Sequence, residues 1–140
     1  TQSETERRAE AERRAEQKRI EVEQGKQAQL DRALTQTYTT EAEIDLARDR
    51  ALEHHKLAIK GAEIRGKAVE ANLAELKARI ANIEKVGRPV SPNLKEQLNQ
   101  VTRESLDLKR TILNNEEAMV QVGEKYAADK ARFRELTGKP

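Results

Sequence analysis

The fold is decided by residues 80–98, IANIEKVGRPVSPNLKEQL. Apolar residues spaced three and four apart end at Ile83, and the same spacing resumes at Leu94. Between them, Gly87 suits the left-handed conformation that often follows a helix, and the nearby prolines prevent the helix from continuing. The connection is short, so two helices must return antiparallel. We place the tip of the hairpin at residues 87–91, and Pro92 is the first residue of the next helix. The predicted tip residues are therefore Gly87, Arg88, Pro89, Val90, Ser91 and Pro92.

Apolar periodicity extends far on both sides of this tip. The spacing of three and four residues persists from Leu52 to Ile83 and from Leu94 to Leu136. Such spacing over four or more heptads predicts a left-handed coiled coil. We therefore predict an all-α fold, an elongated antiparallel coiled-coil helical hairpin preceded by a polar N-terminal helix. The positions of its buried seam are 52, 55, 59, 62, 66, 69, 73, 76, 80 and 83, and then 94, 98, 101, 105, 108, 112, 115, 119, 122, 126, 129, 133 and 136.

The short connection also predicts which residues face each other across the seam. The numbers of facing residues should add to 177 or 178. The expected pairs include Ile80 with Leu98, Leu76 with Val101, Val69 with Leu108, and Gly66 with Ile112. Leucine at position 66 would then overpack the seam. Arg48 should face Asp129 as a seam ion pair.

Four segments are predicted along the chain. Residues 1–34, with two copies of ERRAE, form a charged helical arm; residues 35–40 form a boundary; residues 41–137 form the hairpin; and residues 138–140 form a tail. Thr40 and Glu43 match a capping box, in which each side chain accepts a backbone N–H of the first helical turn. Because the chain begins at Thr1 without an apolar leader, we expect a trimmed or mature product.

Further apolar residues lie away from the seam and define two outer stripes, one on the middle predicted helix (α2, residues 41–86) and one on the last predicted helix (α3, residues 92–137). The α2 stripe consists of Leu57, Gly61, Ile64, Ala68, Ala71 and Ala78. The α3 stripe consists of Leu106, Leu113, Val120 and Ala127. Exposed apolar stripes commonly mark an interface. Alanine also favours helices without any partner, but the leucines and isoleucine need another explanation. We expect a docked third helix or a second subunit to cover these candidate interface residues.

Composition excludes several classes of protein. The 140 residues include 37% charged residues and 2% aromatic residues, so a thick globular core is hard to build. The absence of Cys excludes disulfides and thiolate chemistry. No apolar run is long enough to predict a transmembrane helix. The net charge of +2 comes from 27 basic and 25 acidic residues that alternate along the chain, a pattern typical of solvated helices.

Catalytic motifs are absent from the sequence. His54 and His55 are consecutive, so they point about 100° apart on a helix and are poorly placed to bind one metal. There is no HExxH, Walker or GxSxG motif. We predict that the protein is not an enzyme and has no metal, cofactor or catalytic residues.

Three stretches resemble uncharacterised secreted coiled-coil proteins of proteobacteria. They are TYTTEAEIDLARDRAL at 37–52, VGRPVSPNL at 86–94 and DKARFREL at 129–136, and the likeness covers about residues 30–137. In those proteins a threonine–tyrosine–acidic segment opens a helical hairpin, and a basic-Pro-Val-x-Pro tip closes it. The resemblance implies a periplasmic location. It carries over no activity, and the ERRAE arm is outside it.

The leading functional hypothesis is a non-enzymatic interaction or scaffold module that self-associates or docks a protein partner in the bacterial cell envelope. An alternative is a holdase-like or membrane-surface helical hairpin, although a Lys-rich or aromatic amphipathic face is not apparent. A third hypothesis is weak nucleic-acid binding, since basic residues exceed acidic ones near the C-terminus. The basic residues there are Lys125, Lys130, Arg132, Arg134 and Lys139, and the acidic ones are Asp129 and Glu135.

Overall fold

Three long helices make up the protein. A computed structural model describes residues 2–138, with α1 at Gln2–Thr37, α2 at Glu41–Lys85 and α3 at Pro92–Thr137. The α2 and α3 helices pack as an antiparallel hairpin, which confirms the predicted fold class at that level. Of the predicted tail at 138–140, only Gly138 lies within the described residues.

The chain divides into two compact units. The terminal unit comprises Thr1–Leu46 and Tyr126–Pro140, and the hairpin unit comprises Ala47–Lys125. The hairpin unit therefore contains most of α2, the tip and most of α3. The terminal unit contains α1, the first residues of α2 and the last residues of α3.

The turn between α2 and α3 has the predicted chemistry. Gly87 has a φ of 77°, the left-handed conformation that residues with a side chain rarely adopt. Its N–H donates to the carbonyl of Glu84 over 3.0 Å, and Arg88 N–H donates to the carbonyl of Ile83 over 3.1 Å. These two bonds form a complete Schellman motif. At the start of α3, Leu94 N–H donates to Ser91 Oγ over 3.2 Å, as expected of a serine N-cap.

The start of α2 differs slightly from the predicted capping box. Glu43 N–H donates to Thr40 Oγ1 over 3.3 Å, which is the expected half of the motif. The Glu43 carboxylate accepts the N–H of Thr39 over 3.2 Å, one residue before the N-cap. The cap therefore stabilises the connection as well as the helix.

The α1 helix continues beyond its predicted end at residue 34. Thr35 and Thr37 remain helical, and the Thr37 hydroxyl donates to the carbonyl of Ala33 over 2.6 Å. This back-bonding gives each hydroxyl a partner inside the helix, so the threonines do not end it. The connection shortens from the predicted 35–40 to residues 38–40.

The seam of the hairpin unit lies where the periodicity predicts. Every predicted seam position from 52 to 122 is buried or half-buried. The most deeply buried apolar residues of this unit are Ala62, Val69, Leu73, Leu76 and Leu94. The apolar series therefore identifies the packed faces of both helices.

The predicted facing pairs need correction. His55 Nδ1 and Asn115 Oδ1 are 2.8 Å apart, although these residue numbers add to 170 rather than 177. Seven residues span about 10 Å of helix, too far for these short side chains to bridge at the predicted register. The Ser105 hydroxyl donates to Glu70, a pair whose numbers add to 175. These two contacts are therefore offset from the predicted register by seven or eight residues and by two or three residues.

The predicted overpacking by leucine at Gly66 stays a prediction. Gly66 does lie near Ile112, because both line one open groove together with Leu108. A Cβ built on Gly66 meets no atom within 4 Å. The site borders an open groove beside the seam, so a Cβ at this position has space.

The terminal unit has a small core of its own. Ile44 and Phe133 are its fully buried large side chains. Glu41 is also buried, and Arg134 donates to its carboxylate over 2.6 Å. Ile44 precedes the first predicted seam residue, Leu52, by eight positions and belongs to the unit that contains α1. Leu136, predicted as a seam residue, is exposed at the end of α3, where few residues remain to cover it.

The predicted pair of Arg48 and Asp129 stays a prediction. Both residues are half-buried. Arg48 forms an ion pair with its neighbour Asp49 at 3.0 Å.

Candidate apolar interface

The α2 stripe is open to solvent. Leu57 is 62% exposed and Ile64 is 64% exposed, seven residues apart on the same face of the helix. The smaller members of the stripe, Gly61, Ala68, Ala71 and Ala78, are exposed as well. These side chains are largely exposed within the described residues 2–138. The expected cover, a docked third helix or a second subunit, stays a prediction.

The α3 stripe is equally open. Leu106, Leu113 and Val120 recur every seven residues and are 55%, 59% and 60% exposed. Ala127, in the terminal unit, is also exposed. Side chains of this size gain about 1.5–3 kcal/mol each when they are fully buried. Because these side chains are exposed in the described chain, most of this free energy would be gained only if another surface buried them.

Beside the α2 stripe, an open groove of about 420 Å³ has an apolar floor and a basic rim. Ile59, Ile64 and Met119 contribute the apolar surface, and the charged residues around them are Lys56, Lys60, Glu63 and Lys67. A neighbouring groove of about 500 Å³ contains Gly66 and Ser105 and shares Glu63 and Lys67 with the first. Sequence reasoning missed these grooves, although small residues at two seam positions were a signal.

Polar side chains at the seam form hydrogen bonds within the hairpin unit. The Asn115 amide donates to the carbonyl of Thr111 over 2.8 Å, which leaves its oxygen to accept a hydrogen bond from His55. Ser105, buried in the seam, donates to Glu70. This bond and then the nearby Lys109 ammonium lower the pKa of the Glu70 carboxyl. These groups have structural partners, and among residues 2–138 there is no cluster of three or more metal-ligating side chains.

The tip offers a smaller surface. Gly87, Arg88, Pro89, Ser91 and Pro92 are exposed, and Val90 is half-buried. Val86, just before the turn, is 69% exposed. The backbone of this turn is occupied by its own capping bonds. The tip is therefore a less extensive candidate than the two stripes.

The terminal unit contains an ion pair that sequence reasoning did not find. Arg132 donates to both carboxylate oxygens of Asp31, over 2.9 Å and 2.7 Å. The hydrogen bonds from Arg132 lower the Asp31 pKa to about 2. The same pairing raises the pKa of Arg132. These residues are 101 positions apart, so no local pattern could have indicated the contact.

The C-terminal basic residues do not form a free cationic surface. Arg132 pairs with Asp31 and Glu135, and Arg134 pairs with Glu41. Lys130 lies 3.1 Å from Asp45. Lys139, the last of the set, lies outside the described residues. The charge that suggested nucleic-acid binding is largely used for contacts within the terminal unit.

None of the helices described over residues 2–138 has an apolar stretch long enough to cross a bilayer. The chain matches no protein-family model, no curated protein and no solved structure.

Proposed function

We propose that the protein is a non-enzymatic helical interaction module that binds a protein partner through the α2 and α3 stripes. The observation that carries the proposal is the exposure of five large apolar side chains on two regular stripes. They are Leu57, Ile64, Leu106, Leu113 and Val120. Apolar surface of this extent and regularity is typical of helix-binding faces.

The hairpin supports such a role by holding the stripes on stable helices. Seam residues such as Val69, Leu73 and Leu76 are buried without help from either stripe. The stripes are therefore free to bind without unpacking the fold. The resemblance to secreted coiled-coil proteins supports a location in the bacterial cell envelope, where the module would act as a scaffold.

Site-specific photocrosslinking in cells tests this function. A photoreactive amino acid at Ile64 should produce a discrete crosslinked protein band. Val22, 49% exposed on α1, is the matched control position and should produce none. Equal crosslinking at both positions, or none at Ile64, would contradict the proposal.

A double substitution adds a readout that does not depend on crosslinking chemistry. Leu57→Glu with Ile64→Glu should change the free energy of unfolding by no more than about 0.5 kcal/mol per site, because both side chains are already exposed. The crosslinks formed from Leu113 should disappear if both stripes bind the same partner. Circular dichroism establishes that the helices persist.

A further inference from the structure

The α1 helix is polar on every side along residues 10–30. All of these residues are exposed, and their five basic and five acidic side chains carry no net charge. The large apolar residues among them are Ile20, Val22 and Leu30. Ile20 and Val22 are two positions apart, so they point to nearly opposite sides of the helix, and Leu30 lies two turns further along. Residues 10–30 therefore present no apolar stripe of the kind found on α2 and α3.

Side chains of this segment bind each other rather than another part of the fold. Arg14 donates to the Glu10 carboxylate over 2.7 Å, and Arg19 donates to the Glu16 carboxylate over 2.6 Å. Within the described chain, every side-chain hydrogen bond and ion pair of residues 10–30 stays inside α1. The segment therefore keeps its helical conformation in the structure without tertiary contacts from its side chains.

The order of charges in the sequence favours such a helix. Between residues 4 and 26, eleven pairs of opposite charge are three or four positions apart, against three pairs of like charge. Residues at these spacings are neighbours on a helix surface, and opposite charges there stabilise the helix by themselves. Ala11 and Ala15 add helix propensity without needing burial. A helix that is polar all round and rich in such pairs is typical of a segment that bridges solvent between structured parts.

The C-terminal end of the segment is anchored in the terminal unit. Arg132 donates to both carboxylate oxygens of Asp31, and Leu34 and Tyr38 are half-buried. Contacts with the rest of this unit thus begin directly after residue 30. At 1.5 Å per residue, Glu10 lies about 30 Å along the helix axis from the anchor at Asp31.

We propose that residues 10–30 are a self-supporting helical spacer, kept rigid by ion pairs along its own surface and fixed at its base by Asp31. The function of this spacer is mechanical, because it sets a constant distance between the terminal unit and any group attached to the first turns of α1. Helices built from charged residues and alanine act as semi-rigid spacers of about 1.5 Å per residue. None of the residues of the α2 and α3 stripes takes part, so this function is additional to the binding proposed above.

Pulsed electron paramagnetic resonance on the full chain tests the rigidity. The sequence contains no Cys, so spin labels can be attached at introduced cysteines alone. Ala11→Cys with Gln29→Cys places two labels on one side of α1, five helical turns or about 27 Å apart. We expect one narrow distance distribution near 27 Å, unchanged on dilution. A broad distribution overturns the inference, because the segment then bends or unfolds. A distribution that is narrow only at high protein concentration also overturns it, because a second copy then supports the helix.

A second label pair tests the anchor at the base of the spacer. Ala11→Cys with Ala131→Cys joins the segment to an exposed position at the end of α3 in the same unit. The distance distribution should be as narrow as that of the first pair. A broad distribution here beside a narrow one within α1 would describe a stiff helix that swings about its base, which overturns a spacer of constant reach.

Charge reversal tests the source of the rigidity. Glu10→Lys with Glu16→Lys turns five pairs of opposite charge into like pairs and only two like pairs into opposite ones. Amide hydrogen exchange of residues 10–20 should become several-fold faster, because the helix opens more often. Glu117→Lys with Glu124→Lys makes the same change in net charge at exposed positions of α3 and should leave this exchange unchanged. If the reversal on α1 has no effect, or the control has the same effect, the ion pairs do not support the helix and the inference fails.

Discussion

At the scale of single residues, Asp31 is a group whose chemistry depends on the fold. Its pKa falls from 3.8 to about 2 because Arg132 donates hydrogen bonds to its charged form. A carboxyl whose pKa is lower in the folded state stabilises that state fully above its unfolded pKa. The stabilisation is lost as the pH falls from about 3.8 through 2.

We expect the Asp31 carboxyl to titrate near pH 2 in the native protein. Carbon-detected NMR of the side-chain carboxyl measures this directly. Arg132→Gln should return the pKa towards its ordinary value, because the main cause of the shift is removed. Arg14→Gln, which removes an exposed ion pair with Glu10, serves as the matched control and should leave Asp31 unchanged. An Asp31 pKa near 4 in the wild type would contradict the pair.

At the scale of a helix, Gly66 weakens α2 without serving its packing. A Cβ at this position meets no atom within 4 Å, and glycine in a helix costs about 0.5–1 kcal/mol relative to alanine. Gly66→Ala should therefore raise the free energy of unfolding by about that amount. Thermal or urea denaturation measures the change. A loss of stability would mean that the groove beside Gly66 is closed.

Gly87→Ala is the control for this substitution, because Gly87 has a φ of 77°. A side chain in the left-handed region costs about 1–2 kcal/mol, so the same replacement should be destabilising at the tip. Opposite signs at the two glycines would show that conformation, rather than composition, decides the effect.

Much of each helix could be predicted from the sequence, whereas the alignment between helices could not. Periodicity identifies the buried face, so seam positions such as Val69 and Leu108 were correctly assigned to it. The axial offset depends on how side chains of different volume fit together, which spacing does not encode. His55 with Asn115 and Ser105 with Glu70 reveal an offset that tip length alone could not predict.

At the scale of the whole molecule, we expect most of α1 to be dispensable for the stability of the rest. Residues 10–30 are all exposed. Deleting residues 1–24 should change the free energy of unfolding by less than about 0.5 kcal/mol. Urea denaturation followed by circular dichroism measures the change.

A longer deletion provides the contrast. Removing residues 1–38 also removes Asp31 and the half-buried Leu34 and Tyr38. We expect a loss of about 1–2 kcal/mol, since half-buried side chains of this size contribute part of a full burial free energy. If both deletions are equally harmless, α1 contributes nothing to the terminal unit.

The exposure of the stripe residues could be predicted from the sequence, because periodicity separates them from the seam; their role as an interface stays a prediction. The sequence places Leu57, Ile64 and Leu113 away from the seam, and the structure finds them exposed. Sequence alone favoured α1 as one possible cover. The helix is too poor in apolar residues to gain much by docking, and its charged side chains are better solvated by water.

The exposure of residues 10–30 also bears on how the protein can change over generations. The ion pairs in this segment, such as Arg14 with Glu10, join residues of the same helix, so the segment must preserve only helix-forming character and balanced charge. The region around Val69, Leu73 and Leu76 has no such freedom, because every change of volume is felt by both helices. One chain thus contains a segment that tolerates many amino-acid substitutions and a segment in which packing restricts them.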